Sequence, residues 1–223
     1  MSDQICSEPE YNDGPRTLRD PKERTRRKAM LTLPHIAPLV EYTAELRRRD
    51  GVEVPEFDPL DGGIDAQVLF LFEKPGPMTA EAGRRAGSGF ISRNNDDPTA
   101  EATFNFMRQA GIPRKGTVIW NVVPWWNGKR KITTDESRNG AASFITLRGY
   151  LSKLSAVVMV GKRAARLQPY LKTTGLELFR SCHPSPLVRA RFRSRWEAIP
   201  SEWAQVMASL DARSEVIGGP PEE

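Results

Sequence analysis

The chain has 223 residues, 39% hydrophobic and 27% charged, with a formal net charge of +5 and a pI of about 9.4. That length suffices for one domain with a substantial core, and the basic balance favours a polyanionic partner such as nucleic acid. Two cysteines (Cys6, Cys182) and two histidines (His35, His183) exclude a disulfide scaffold, a four-cysteine zinc site and a four-cysteine iron–sulfur cluster, so chemistry without metal or cofactor is the expectation.

Residues 1–20 are polar, with Pro9, Gly14 and Pro15, and read as a flexible tail. They lack the basic-then-apolar pattern of a secretion signal, so a cytoplasmic protein is expected. No run approaches the ~18 apolar residues of a membrane span, so no membrane partner is expected. A single domain is expected over residues 21–210. Residues 211–223, with four acids, two glycines and two prolines, read as a second, acidic tail.

Within the domain, residues 34–49 place Ile36, Leu39, Val40, Tyr42 and Leu46 on roughly one helical face, and the cations before Gly51 suit a helix end. Residues 67–72 form a continuous apolar strand, the pattern of burial on both faces. A glycine-bearing loop, residues 75–97, follows. Asp97 as N-cap and Pro98 as first helical residue open a helix through Gln109, closed by Gly111 and Pro113. Residues 117–121 give strand two. Residues 135–154 give a helix with Phe144, Leu147, Leu151 and Leu154 on one side. Residues 156–160 give strand three, Gly161 starts a helix towards Leu171, and residues 176–181 give strand four. A last helix spans about 191–210, with Pro200 as its breaking point. Strands alternating with helices predict an α/β fold: a three-layer α/β/α sandwich around a central four-stranded, mainly parallel sheet.

Three strand ends carry polar, turn-forming residues, the place where an open α/β sheet builds a site. They are Glu73-Lys74-Pro75-Gly76, Asn121, and the pentad His183-Pro184-Ser185-Pro186-Leu187. Two prolines stiffen the loop that holds His183, and Leu187 stands among arginines, a poor context for a core residue. Five arginines and no acid lie between Arg180 and Arg195, and Lys129-Arg130-Lys131 and Lys162-Arg163 with Arg166 form two further basic clusters. Each follows a predicted strand, so all can share the face of the site.

These residues resemble the uracil-DNA glycosylase superfamily over about residues 65–200, in family order. The pentad is similar to its second signature, in which the histidine contacts uracil O2 and the leucine enters the duplex. Glu73-Lys74-Pro75-Gly76 stands at the first signature, Phe90 at the phenylalanine on which uracil stacks, Asn121 at the asparagine that reads the uracil edge, and Gly161 at a DNA-backbone loop. The resemblance implies a DNA glycosylase that flips uracil out of single- or double-stranded DNA and hydrolyses its N-glycosidic bond, acting as a monomer. His183 and Glu73 would be catalytic, and Phe90, Asn121 and Gly76 would contact the base. Leu187, Ser185, Ser88, Lys74, Lys162, Arg189 and Arg191 would contact DNA.

The chain also departs from the pattern. Lys74 replaces the aspartate of the best-known branch, and Glu73 matches the acid of the iron–sulfur branch. Gly76 replaces a tyrosine that excludes the thymine methyl. These departures keep two alternatives open: a damaged-base or DNA-binding protein with little or no hydrolysis, and a glycosylase for another deaminated base. For Lys74, a phosphate contact and a Schiff base with the sugar both remain open. Asp96 and Asp97 are rival carboxylates, Asp97 being accounted for as a helix cap.

Overall fold

The computed structural model describes residues 13–50, 52–80 and 87–217. Its centre is a four-stranded sheet of β2 (Val68–Phe72), β4 (Thr117–Asn121), β5 (Ala156–Val160) and β6 (Glu177–Ser181), in the order β4-β2-β5-β6. Every pairing is parallel. Residues of β2, β4 and β5 are buried throughout, as their unbroken apolar runs require. A short parallel pair, β1 (Glu56–Phe57) with β3 (Phe90–Ile91), stands beside the sheet.

The register sorts side chains to two faces. Leu71 pairs with Trp120, and Trp120 stacks on Phe57 at 3.7 Å between ring centroids and meets Tyr42 of α2 (Ala37–Asp50). The Tyr42 hydroxyl donates to the Ser143 carbonyl in α4 (Thr134–Tyr150) at 3.0 Å, so α2 and α4 cover this face. On the other face Phe70 meets Trp203 of α8 (Ile199–Ile217) edge-on, and Trp203 meets Phe106 of α3 (Pro98–Gln109). The result is an α/β/α sandwich.

Asp97 caps α3 as expected, accepting from the amides of Thr99 and Ala100 at 2.9 and 3.0 Å, with Pro98 in the first turn. Other elements depart from expectation. Of the tail expected over residues 1–20, residues 1–12 lie outside the described part, whereas residues 13–20 pack on the body with Leu18 buried. A nine-residue helix, α1 (Pro21–Ala29), follows, capped by Asp20 and burying Glu23 and Arg27. The segment after Gly161 is only a 3-10 turn and the short α5 (Gln168–Leu171). The last helix is three pieces: α6 (Pro186–Arg191), α7 (Arg193–Glu197) and α8. Pro200 sits in the first turn of α8 instead of breaking it, and α8 continues to Ile217, into the residues expected as a tail. Residues 218–223 lie outside the described part. No described helix is long and apolar enough to cross a membrane.

Candidate active site

At the carboxyl ends of β2, β4 and β6 a cavity of about 560 Å³ opens beneath the N-terminus of α3. The register explains its floor. Phe72 pairs with Asn121 at the last rung of β2 and β4, so both point to the α3 side, as does Ile119 two residues before Asn121. His183 enters from two residues beyond β6, and its ring meets the Phe72 ring edge-on at 5.6 Å. Glu73, Asp97, Arg130 and Arg163 also line the cavity.

Glu73, Gly161 and His183 converge tightly. A Cβ on Gly161 would lie 2.9 Å from Glu73 Oε1 and 3.3 Å from His183 Cδ2, and Gly161 holds φ +94°. Only glycine meets both demands. Gly161 is thus the hinge against which acid and imidazole are set. Glu73 Oε1 accepts from the Arg163 amide at 3.2 Å, and its side chain keeps about a quarter of its surface exposed.

Among the described residues, three that line the cavity carry a buried polar atom without a partner; in Arg93 it is Nε, but that guanidinium is held through Nη2 on Thr117 Oγ1, which leaves Asn121 and His183. Asn121 Oδ1 and His183 Nδ1 are buried and have no hydrogen-bond partner, a rare condition in a folded protein. Burial holds the His183 pKa below the ordinary histidine value, with the Glu73 and Asp97 carboxylates pulling it part of the way back. Asp97 is itself raised by burial, against the amides it caps.

Several expected contacts are placed elsewhere. Phe90 is 1% exposed in β3 and does not line this cavity; it borders a separate depression with Lys28, Arg47 and Glu56. Its neighbours Ile91 and Ser92 line the cavity instead, and the aromatic wall is Phe72. Ser88 is also interior: its hydroxyl donates to Asn95 Oδ1 at 2.5 Å and accepts from the Phe90 amide, so it is not presented to a phosphate. Lys74 does line the cavity, but its ammonium is turned away from solvent. Its ammonium lies 2.6 Å from Glu136 Oε1 and 2.9 Å from Asn127 Oδ1, with 4% of the side chain exposed. Glu136 also accepts from Trp125 Nε1 and the Thr133 amide. Burial works to raise the Glu136 carboxyl, but the bonds from Lys74 and Thr133 bring it below the ordinary value. Lys74 is therefore a cation anchored in the cavity wall by Glu136 and Asn127.

Of the remaining expected residues, Ser185, Leu187, Lys162, Arg189 and Arg191 do not line the cavity, although the neighbouring Pro186 and Arg163 do. Leu187 is 60% exposed in the first turn of α6, which Ser185 caps through the Val188 amide. Lys162, Arg189 and Arg191 are exposed, with Arg189 over the Trp196 ring at 5.0 Å. Arg130 and Arg163 bring the clusters after β4 and β5 to one mouth. Gly76 lines the cavity, and a Cβ there would meet nothing within 4 Å. Asp97, a rival carboxylate accounted for in the sequence as a helix cap, has both the cap and a place in the cavity wall. The Asp-Pro signature located the helix start, but which sheet end that start overhangs is a tertiary fact.

A family model described as the Uracil DNA glycosylase superfamily matches residues 59–205. The chain belongs to this superfamily. No curated protein sequence matches the chain. Solved structures similar to it include the wild-type UNG from Nitratifractor salsuginis, at 14% identity and a TM-score of 0.43, covering 81% of this chain and 96% of that one. The mimivirus UNG Y322F in complex with UGI is similar at 14% identity and a TM-score of 0.41, covering 75% and 70%. In this superfamily member the sheet is wholly parallel, and the first and second signatures meet at one cavity across Gly161.

Proposed function

We propose that the chain removes uracil from DNA by hydrolysing the bond between the base and its deoxyribose, leaving an abasic site. The observation that carries this reading is the pair of unpartnered buried atoms, Asn121 Oδ1 and His183 Nδ1, on residues that line one cavity. A buried side chain without a partner costs stability, so its retention points to a ligand that completes it.

Uracil presents an N3–H donor between carbonyl acceptors. The Asn121 amide, with one acceptor and two donors, pairs with N3–H and O4 together. Cytosine reverses that pattern and leaves the amide mismatched. His183, whose pKa is lowered by burial, stays neutral near pH 7 and donates towards O2. As the C1′–N1 bond breaks, its electron pair leaves on the base and charge collects at O2, where one aimed donor contributes roughly 2.7–4 kcal/mol. The sugar is left as an oxocarbenium ion. The Glu73 carboxylate opposes that charge and orients the water whose oxygen bonds to C1′; the proton that water loses passes to solvent or to the departing base.

The base must first leave the stack, at a cost of a few kcal/mol. Exposed Leu187 fills the gap, while Ser185, Lys162, Arg189 and Arg191 face the backbone phosphates. Lys74, in place of an aspartate, is one of the departures that keep open a protein that binds without hydrolysis. Its pairing with Glu136 neutralises that charge, which favours the hydrolase. The open space at Gly76 favours one further reading, a broader range of bases, tested by offering thymine, hypoxanthine and xanthine beside uracil.

The deciding experiment is single-turnover excision, in EDTA, of uracil from a labelled single-stranded oligonucleotide. Heat-labile abasic product from the native protein, lost in His183→Ala and Glu73→Ala, is the expected result. Retained binding to uracil-containing DNA without product would identify a binding protein instead.

A further inference from the structure

Arg16 holds φ +59° and ψ +15°, and it is the one non-glycine residue with a positive φ among the described residues. Such a conformation is unfavourable for a side-chain-bearing residue and persists only where contacts enforce it. The contacts here reach far along the chain. Arg16 Nε and Nη2 donate to Glu101 Oε2 at 3.1 and 2.8 Å, and Nη1 donates to Asp96 Oδ1 at 3.3 Å. Asp96 immediately precedes Asp97, and Glu101 lies in the first turn of α3. The guanidinium thus grips both sides of the helix start that overhangs the cavity.

Neighbouring bonds extend the grip to the rest of the cavity loop. The Leu18 amide donates to the Asn94 carbonyl at 3.1 Å, and Asn94 Nδ2 donates to the Gly14 carbonyl at 2.6 Å. Residues 14–18 therefore form a strap across residues 94–101, of which Asn95, Asp97, Pro98, Thr99 and Ala100 line the cavity. The strap lies wholly outside the family match, which begins at residue 59.

Stability alone does not account for it. The Arg16 side chain keeps 33% of its surface exposed, against 39% for Glu101 and 14% for Asp96, and ion pairs on so open a guanidinium contribute little. A backbone strain held in place by contacts that stabilise the fold little is one kept for position.

We propose that Arg16 is a positioning residue of the active site, fixing the start of α3 and the Asp97 carboxylate against the bound base. Asp97 Oδ1 is engaged by the amides of Thr99 and Ala100, and the Asp97 charge acts on His183, so a shift of the helix start reaches the imidazole directly. The proposal rests on the glycosylase reading for its catalytic consequence, but not for its structural one.

The test is Arg16→Gly. Glycine adopts φ +59° without strain, so the variant removes the guanidinium while easing the backbone, and its melting temperature should equal or exceed that of the native protein. Two further quantities are then read on the full chain. Hydrogen exchange at the Thr99 and Ala100 amides reports the cap, and single-turnover uracil excision reports the site. The expected result is faster exchange at those amides and excision slowed about tenfold or more, as for a misplaced catalytic geometry. Native exchange, or faster exchange with a native excision rate, would overturn the proposal. If the native protein itself releases no uracil, the glycosylase reading falls. The exchange arm still decides whether Arg16 holds the cap.

Discussion

Two polar regions lie on either side of residues 92–95, and they treat their polar atoms in opposite ways. Behind the loop, the Asp58 carboxylate accepts from Arg27 Nη1 at 2.6 and 2.7 Å, from Arg114 Nη2 at 2.6 Å, from the Ser92 hydroxyl and from the Leu60 amide. Asp61 accepts from Arg114 Nε at 2.9 Å, and Arg93 Nη2 donates to Thr117 Oγ1 at 3.1 Å. Single atoms there, Asp61 Oδ2 and Arg93 Nε, lack partners, but every charged side chain of the network has at least one. In front of the loop, Asn121 Oδ1 and His183 Nδ1 have no hydrogen-bond partner among the described residues. A completed network holds a shape; an uncompleted pair awaits a ligand. The buried arginines Arg27, Arg93 and Arg114 hold the scaffold, whereas Arg130 and Arg163 line the cavity.

That contrast breaks most visibly at Asp58. Asp58→Ala removes the carboxylate that Arg27 and Arg114 share, leaving Arg27 with Glu23 and Arg114 with Asp61, and the loss of one member of a buried ionic group costs ~3–5 kcal/mol. Urea denaturation should show a loss of that size. A loss below ~1 kcal/mol would mean that the network is not the scaffold it resembles.

His183→Ala is the converse. It removes no hydrogen bond of Nδ1 and only the edge contact with Phe72, so the melting temperature should fall little, while single-turnover excision falls about 10²–10³-fold, the effect of losing one aimed donor. Destabilisation matching the activity loss would make His183 a structural residue.

A smaller effect sharpens the electrostatics. His183 should titrate below 6.5, because burial disfavours its cation. Glu73 and Asp97 act in the other direction, so Glu73→Gln should move the titration lower still. NMR titration separates this signal readily, since His35 is the only other histidine. An upward shift in Glu73→Gln would contradict the arrangement of acid and imidazole across Gly161.

Leu187→Ala should have the smallest effect on stability, given its exposure. It should slow excision from duplex DNA more than from single strands, where no stack has to be opened. Equal slowing on both would remove the wedge role.

The residues show why some of this was legible in the sequence and some was not. Apolar runs bounded by turns gave β2, β4 and β5 nearly to the residue, and Asp97-Pro98 gave the start of α3. The same signature, Asp20-Pro21, opens α1, but the face that α1 buries carries Glu23 and Arg27, so no apolar period marked it. Phe90 lies within the glycine-bearing stretch 75–97, whose sequence carries no sign of a strand. Gly89 takes φ +80°, and the chain then runs into β3, where Phe90 is buried. Lys74 and Glu136 are 62 residues apart, and no local pattern announces their pairing. Local chemistry is written locally, whereas the partner of a charge is set by the fold.

The most direct test of the central claim offers uracil and cytosine, in otherwise identical single-stranded oligonucleotides, to the native protein and to Asn121→Ala under single-turnover conditions. If the unpartnered Asn121 amide reads the base edge, the native protein releases uracil and not cytosine, and Asn121→Ala loses uracil release with its melting temperature unchanged. Native-level uracil release by Asn121→Ala, or equal release of both bases by the native protein, would contradict the account.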